Sequence, residues 1–248
     1  MGGAILDSTG KLEIIRSSFE NNHASASGGA VFGNGSDLTV DSCTFTSNWC
    51  AYDGGAIYAQ GATNTVVIKD STFTGNYTTA NSNGGGAIKL YGLETADISG
   101  SVFAKNTTKG GGGGISVDHS QDINISYSTF YANKRLAASL GSTTSGMGGA
   151  ILVNSSNVDV SNNIFWANLA YSPEKGNDLY IYNDTYPPPQ ILSTVNIENN
   201  NIQLLSGIGN DIGGNMEVDP LFIDAVGGDY NLNSESLCID MGAYPISD

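Results

Sequence analysis

The chain reads as an all-β protein, a right-handed parallel β-helix of about seven coils ending in a C-terminal cap, and three observations lead there. A motif Gly-Gly-Ala-Ile/Val begins at Gly2, Gly28, Gly54, Gly85 and Gly148, with the variant GGGI at Gly112. A second motif, Phe-x-x-Asn, follows at Phe19, Phe45, Phe73, Phe103, Phe130 and Phe165. Successive Phe residues lie 26, 28, 30, 27 and 35 positions apart. That period is too short for a folded domain and typical of units that bury their apolar faces on one another.

Within each unit the apolar positions alternate at period two in short runs bounded by Gly, Asn, Ser and Asp, the pattern of strands and turns rather than of helices. The pairs five and seven residues before each Phe are Leu12/Ile14, Leu38/Val40, Val66/Ile68, Ala96/Ile98, Ile123/Ile125 and Val158/Val160. A degenerate seventh copy has Leu179, then Val195/Ile197, with Ile202 where Phe is expected. Three strands per unit, stacked in register about 4.8 Å apart, make the coil. The Phe rings are expected to form an inward column, each burying up to roughly 150–250 Å². The Asn three residues later falls at the turn, where stacked amides can hydrogen-bond along the axis. The Gly pair permits positive φ or close approach of neighbouring backbones. Residues 1–205 are thus expected to be repeats, and 206–248 the end of the helix and its cap.

There are 24 acidic and 9 basic residues, a formal charge of -15, which argues against nucleic acid and anionic membrane as partners. The sequence shows no transmembrane run, and direct membrane insertion is not expected. No signal peptide is read either; Met1 runs directly into the first coil, and the sequence is expected to be a piece of a longer chain or to stack end to end. Cys43, Cys50 and Cys238 show no C-x-x-C spacing, so neither zinc nor redox chemistry is indicated. Cys43 takes a position held by Ser17, Ser71, Ser101 and Ser128 in other coils, which fits a small buried residue; a bridge to Cys50 is the alternative.

Insertions follow Asn76 and, at greater length, Asn133, where Lys134 to Met147 carries Lys134 and Arg135 as candidate ligand-binding cations. A further insertion, Asn183 to Gln190, contains Pro187, Pro188 and Pro189 and reads as an extended surface loop. After about Leu205 the repeat ends. From Asp211 onward there are eight acidic residues and no basic ones. Asp211, Asp219, Asp224, Asp229 and Asp240 are the oxygen ligands that Ca²⁺ would take, but no EF-hand or nonapeptide calcium signature is present, and turn and cap roles are the preferred reading. No other cofactor is indicated.

The GGA[I/V] and F-x-x-N units resemble polymorphic outer-membrane-protein repeats. The tail, with Asp219-Pro220-Leu221-Phe222, Asp229-Tyr230-x-Leu232 and Ile239-Asp240-x-Gly242, resembles the end of the β-helix in secreted "choice-of-anchor" surface proteins. These resemblances imply an extracellular or cell-surface module, often adhesin-like, whose partner would be a glycan or a surface protein.

Two kinds of site are candidates. The residue after each inward Ile or Val is expected to face solvent, giving the column Leu6, Phe32, Tyr58, Lys89, Ser116, Leu152 and Tyr180, with Tyr91 and Tyr182 two positions further along their strands. Aromatic groups on a flat parallel sheet suit stacking on sugar rings or docking on a protein, so Phe32, Tyr58, Lys89, Tyr91, Tyr180 and Tyr182 are candidate binding residues. The enzyme alternative is a polysaccharide lyase or glycoside hydrolase, which needs a base beside a charge-neutralising group, or paired carboxylates. The one grouping of that type is Lys89, Tyr91, Asp118 and His119 on adjacent rungs. A third class, ice binding by a Thr array, has Thr44/Thr46 and Thr72/Thr74 in its favour, but the same columns continue as Val102/Ala104, Thr129/Tyr131 and Ile164/Trp166.

Overall fold

The computed structural model describes residues 1–62, 64–80, 84–136, 147–171, 176–183, 192–203, 205–207 and 209–242. The chain winds into a parallel β-helix whose walls are three main sheets and one narrow one. The first sheet holds eight strands, from Ile5–Asp7 through Val31–Asn34, Ile57–Gln60, Ile88–Tyr91, Ile115–Asp118, Ile151–Asn154 and Leu179–Tyr182 to Leu205–Ser206. The second also has eight, from Gly10–Ile15 to Asn210–Gly213. The third has six three-residue strands centred on the Phe column, from Ser18–Glu20 to Ile164–Trp166.

A fourth wall goes beyond the three strands per coil read from the sequence. It consists of five two-residue strands placed immediately after the first five Phe-x-x-Asn motifs, from His23–Ala24 to Lys134–Arg135. Two residues carry no detectable period, which is why this wall leaves no pattern to read.

Each repeated residue has a distinct role. Neighbouring Phe rings from Phe19 to Phe165 stack face to face with centroids 4.7–4.9 Å apart. The five from Phe45 on are fully buried. The Asn column is a continuous ladder: Asn48 donates from its backbone N and its Nδ2 to Asn76 Oδ1 (2.9 and 3.0 Å), and Nδ2 also reaches the Phe19 carbonyl at 2.9 Å. The same arrangement repeats at Asn76, Asn106 and Asn133. Buried amides are costly unless satisfied, and here both Nδ2 protons and both Oδ1 lone pairs are used.

The two glycines of the motif divide their labour. Gly54 sits at φ +68°, a left-handed conformation that strains any residue with a β-carbon. At Gly55 a β-carbon would lie 2.0 Å from the Gly86 carbonyl oxygen of the next coil, so only glycine permits the rungs to approach.

At the far end the chain crosses over the lumen. A β-carbon at Gly209 would lie 2.8 Å from Ile197 Cδ1 and 2.9 Å from Ile181 Cδ1, so backbone without a side chain closes the last core layer there. The remaining tail does not continue the axis but turns back along the rod. Its antiparallel hairpin, Phe222–Asp224 with Asp229–Leu232, lies against the outer face of the third sheet, where Phe222 and Tyr230 pack on Tyr131. Among the described residues no helix is long and apolar enough to cross a membrane.

Candidate functional site

Strand alternation sorts the first sheet into an inner and an outer set: Ile57 and Ala59 point into the core, Tyr58 and Gln60 outward. Exact register then aligns the outward residues in two rows. One runs Phe32, Tyr58, Lys89, Ser116, Leu152, Tyr180; the other runs Asn34, Gln60, Tyr91, Asp118, Asn154, Tyr182.

The first row is largely covered, contrary to the solvent-facing column expected from the sequence. Phe32, Lys89 and Leu152 are 2–3 % exposed and Ser116 is fully buried. Phe32 packs against the edge of the Tyr58 ring, with centroids 5.1 Å apart. Leu152 lies under the backbone of Gly111, whose added β-carbon would sit 2.3 Å from Leu152 Cδ2. The connections leading into the Gly pairs therefore flank this face. Tyr58, Tyr180 and Tyr182 remain half-buried, while Leu6 and Tyr91 are exposed.

Lys89, Tyr91, Asp118 and His119 do converge, as a connected network rather than loose polar surface. Lys89 Nζ donates to Ser116 Oγ (3.0 Å) and to Asp118 Oδ2 (2.9 Å). Asp118 Oδ1 accepts from Asn154 Nδ2 and pairs with His119 Nδ1, each at 2.7 Å. The Lys89 and Asp118 side chains are 3 % and 7 % exposed, that of His119 35 %. Burial works against ionisation of Asp118, but Lys89 and His119 outweigh it and hold the carboxyl below its ordinary range. The Tyr91 ring tilts toward His119, 5.9 Å away.

Beside this network runs a hydrogen-bonded chain that sequence reasoning missed. Tyr58 Oη donates to Gln60 Oε1, and Gln60 Nε2 donates to Asn34 Oδ1, both at 2.7 Å. Burial, with Asp53, Tyr91 and Asp118 nearby, pushes the Tyr58 phenol up, so the donor is a neutral hydroxyl. Asn34, Gln60 and Tyr91 line a cleft of about 270 Å³. The signal was available: these residues are the last of each GGA[I/V] strand, the row next to the one read.

The remaining candidates lie elsewhere. Lys134 is exposed at the start of the last strand of the fourth wall. Arg135 is 3 % exposed, contrary to its reading as a projecting cation: its Nε donates to the Gly110 carbonyl at 2.6 Å, so it braces the turn. Most of that insertion (137–146), and the segment with Pro187, Pro188 and Pro189, lie outside the described residues. The outward row of the fourth wall stacks His23, Trp49 and Tyr77, with centroids 3.7 and 5.6 Å apart. Trp49 is thereby covered on both faces, and His23 and Tyr77 on one each.

In the tail, Asp219, Asp224 and Asp229 each accept from backbone N–H groups two or three residues on, closing turns. Asp211 accepts from Gly213 N and Asn215 Nδ2, and Asp240 holds a left-handed turn at φ +56°. Among the described residues no three His, Cys, Asp or Glu side chains gather as a metal site. The three cysteines are free; Cys43 sits in the Ser column, where its Sγ lies 3.4 Å from the Ser17 N–H. Burial pushes the Cys50 thiol up to about 12.

Asp178 is a further buried charge that sequence reasoning passed over. It occupies the place of the small residue after each Gly pair, fully buried, and accepts from Asn168 Nδ2 (2.9 Å) and Gln203 N (2.7 Å), thereby terminating the Asn ladder.

Residues 2–185 match a protein-family model described as "Right handed beta helix region". No curated protein and no solved structure matches the chain.

Proposed function

Because this chain belongs to the right-handed β-helix family, we propose that it works as a binding module of the extracellular or cell-surface kind, holding glycan on the outer face of its first sheet. The observation that carries this is the exposed Tyr91 ring standing in a cleft beside the hydrogen-bonded Asn34–Gln60–Tyr58 chain. A pyranose ring has an apolar face and a hydroxyl rim; an aromatic surface next to carboxamides matches both. The formal charge of -15 favours a neutral glycan over a polyanionic one. The likeness of the repeats and tail to adhesin-like surface proteins agrees with this reading.

The test compares Tyr91→Ala and Gln60→Ala with wild type on a glycan array and by titration calorimetry. Each should weaken binding at least tenfold while leaving the melting temperature within about 2 °C, since both side chains lie outside the core. Glycan binding that survives both substitutions would remove the site from this face.

One observation favours a second reading, a polysaccharide-active enzyme. Buried Asp118 anchors His119 through Nδ1, and Nε2 forms no hydrogen bond among the described residues. A carboxylate-oriented imidazole is an arrangement for accepting a proton. Release of unsaturated or reducing ends from a polysaccharide, lost in His119→Ala, would establish that reading over simple binding.

A further inference from the structure

The tail hairpin does not lie flat on the rod. Its base is fastened by the Tyr131 ring, 5.3 Å from Tyr230 and 6.0 Å from Phe222, and nearer its tip Lys105 Nζ donates to the Val226 carbonyl at 2.8 Å. Between these attachments and beyond them the hairpin overhangs the third sheet, leaving a half-open cavity of about 500 Å³ beneath it. That volume lies within the roughly 300–1,000 Å³ of small-ligand sites. The floor comes from outward side chains of three successive rungs, among them Thr72, Thr74 and Thr129; the roof includes Asp229 and Tyr230.

We infer that this cavity is a binding site for a short neutral saccharide of one or two pyranose rings. The inference does not rest on the first-sheet reading, from which it is separated by a different wall of the rod.

The chemistry of the lining selects the ligand class. The hydroxyls of Thr72, Thr74 and Thr129 form no side-chain hydrogen bond among the described residues, nor does the Tyr230 hydroxyl. Asp229 uses Oδ1 to hold Asn231, through its backbone N at 3.0 Å and its Nδ2 at 2.7 Å, while Oδ2 has no hydrogen bond among the described residues. A carboxylate oxygen beside a row of hydroxyls at rung spacing suits a polyol, whose own hydroxyls both donate and accept. The lining carries one cation, Lys105, and one carboxylate, Asp229, so the site has no excess of positive charge with which to hold a phosphate or a polyuronate. An extended peptide fits the floor less well, because the backbone groups of the third sheet are already paired from rung to rung. On its open side the floor continues as Thr44 and Thr46, one rung further on, in line with Thr72 and Thr74. A longer chain of sugars would leave the cavity along that row.

The experiment is titration calorimetry of the full chain with maltose, cellobiose, lactose and mannobiose. At least one should bind, and both Thr72→Val/Thr129→Val and Asp229→Asn should weaken it at least tenfold. Valine keeps the β-branched shape, and Asp229→Asn keeps the Oδ1 acceptor, so melting temperatures should match wild type; if the double variant fails to fold, Asp229→Asn carries the test. Thr39→Val, on the outer face of the second sheet, serves as the unaffected control. Absence of binding by all four disaccharides, binding that survives both cavity variants, loss in Tyr91→Ala alone, or preference for extended peptides over all four sugars would each overturn the inference.

Discussion

Lys89 and Asp118 form a buried ion pair on the outside of a β-helix, an expensive place to keep two charges. Removing one partner from such a pair costs about 3–5 kcal/mol, whereas replacing both by apolar residues is often neutral or stabilising. Lys89→Met is therefore expected to destabilise the chain by about 3 kcal/mol, and Lys89→Met/Asp118→Leu to recover most of that loss in denaturant titrations. A recovery to wild-type stability would mean that the pair serves the face, not the fold. The same pair sets an acid limit. The Asp118 carboxyl is held below its unfolded value of about 3.9, so its contribution is present above that pH and is lost as pH falls through the folded value. Asp118→Asn should thus lie well below wild type in melting temperature at neutral pH, with the gap narrowing in acid. The grouping of Lys89, Tyr91, Asp118 and His119 was legible because rung spacing alone brings them together. That Lys89 lies down onto its neighbours was not, because a lysine on an outward position reads as solvated until its carboxylate partner and its cover are both placed.

Among the elements, the stacked Phe column decides stability. Phe73 is fully buried with rings 4.8 and 4.9 Å away on either side, while Phe19 is half-buried and stacks on one side only. Phe73→Ala is expected to cost about 3–5 kcal/mol and Phe19→Ala distinctly less, a difference readable in thermal melts. Equal losses would mean that the interior column is no better packed than its end. The Phe and Asn columns were legible because the same residue recurs at the same place. A second amide ladder was not: the column two before Phe runs Ser71, Ser101, Ser128 and then changes to Asn163, Asn200 and Asn215, each accepting the backbone N–H of the coil before. The geometry is conserved along the rod while the side chain that satisfies it switches, and a pattern search for one residue type stops at the switch. The fully buried Asp178 escapes for the same reason, since an acidic residue in an Ala column looks like a defect until the Asn168 amide that it satisfies is seen beside it.

For the molecule as a whole, the tail is the part that the repeat does not dictate. Its turns were readable from Asp and Gly, but its resting place depends on contacts such as Lys105 with Val226, 121 residues apart, for which no local pattern exists. Tyr131 is the anchor, and Tyr131→Ala is expected to free the hairpin: limited proteolysis should cut within residues 222–232 at least several-fold faster, with the rod's main melting transition little changed. Unchanged cleavage would place the attachment elsewhere.

The regularity of the walls has one more consequence. From the first coil to Ile197 the strands pair residue for residue, so a coil behaves like a bead on a graduated scale. Duplicating a 28-residue unit, such as the span from Phe45 to Thr72, would shift everything beyond it by one graduation of about 4.8 Å without disturbing the lumen. Cutting the scale between Lys89 and Asp118 is another matter, because their partnership spans a single graduation; that interval is where a copied bead would erase the face while sparing the rod.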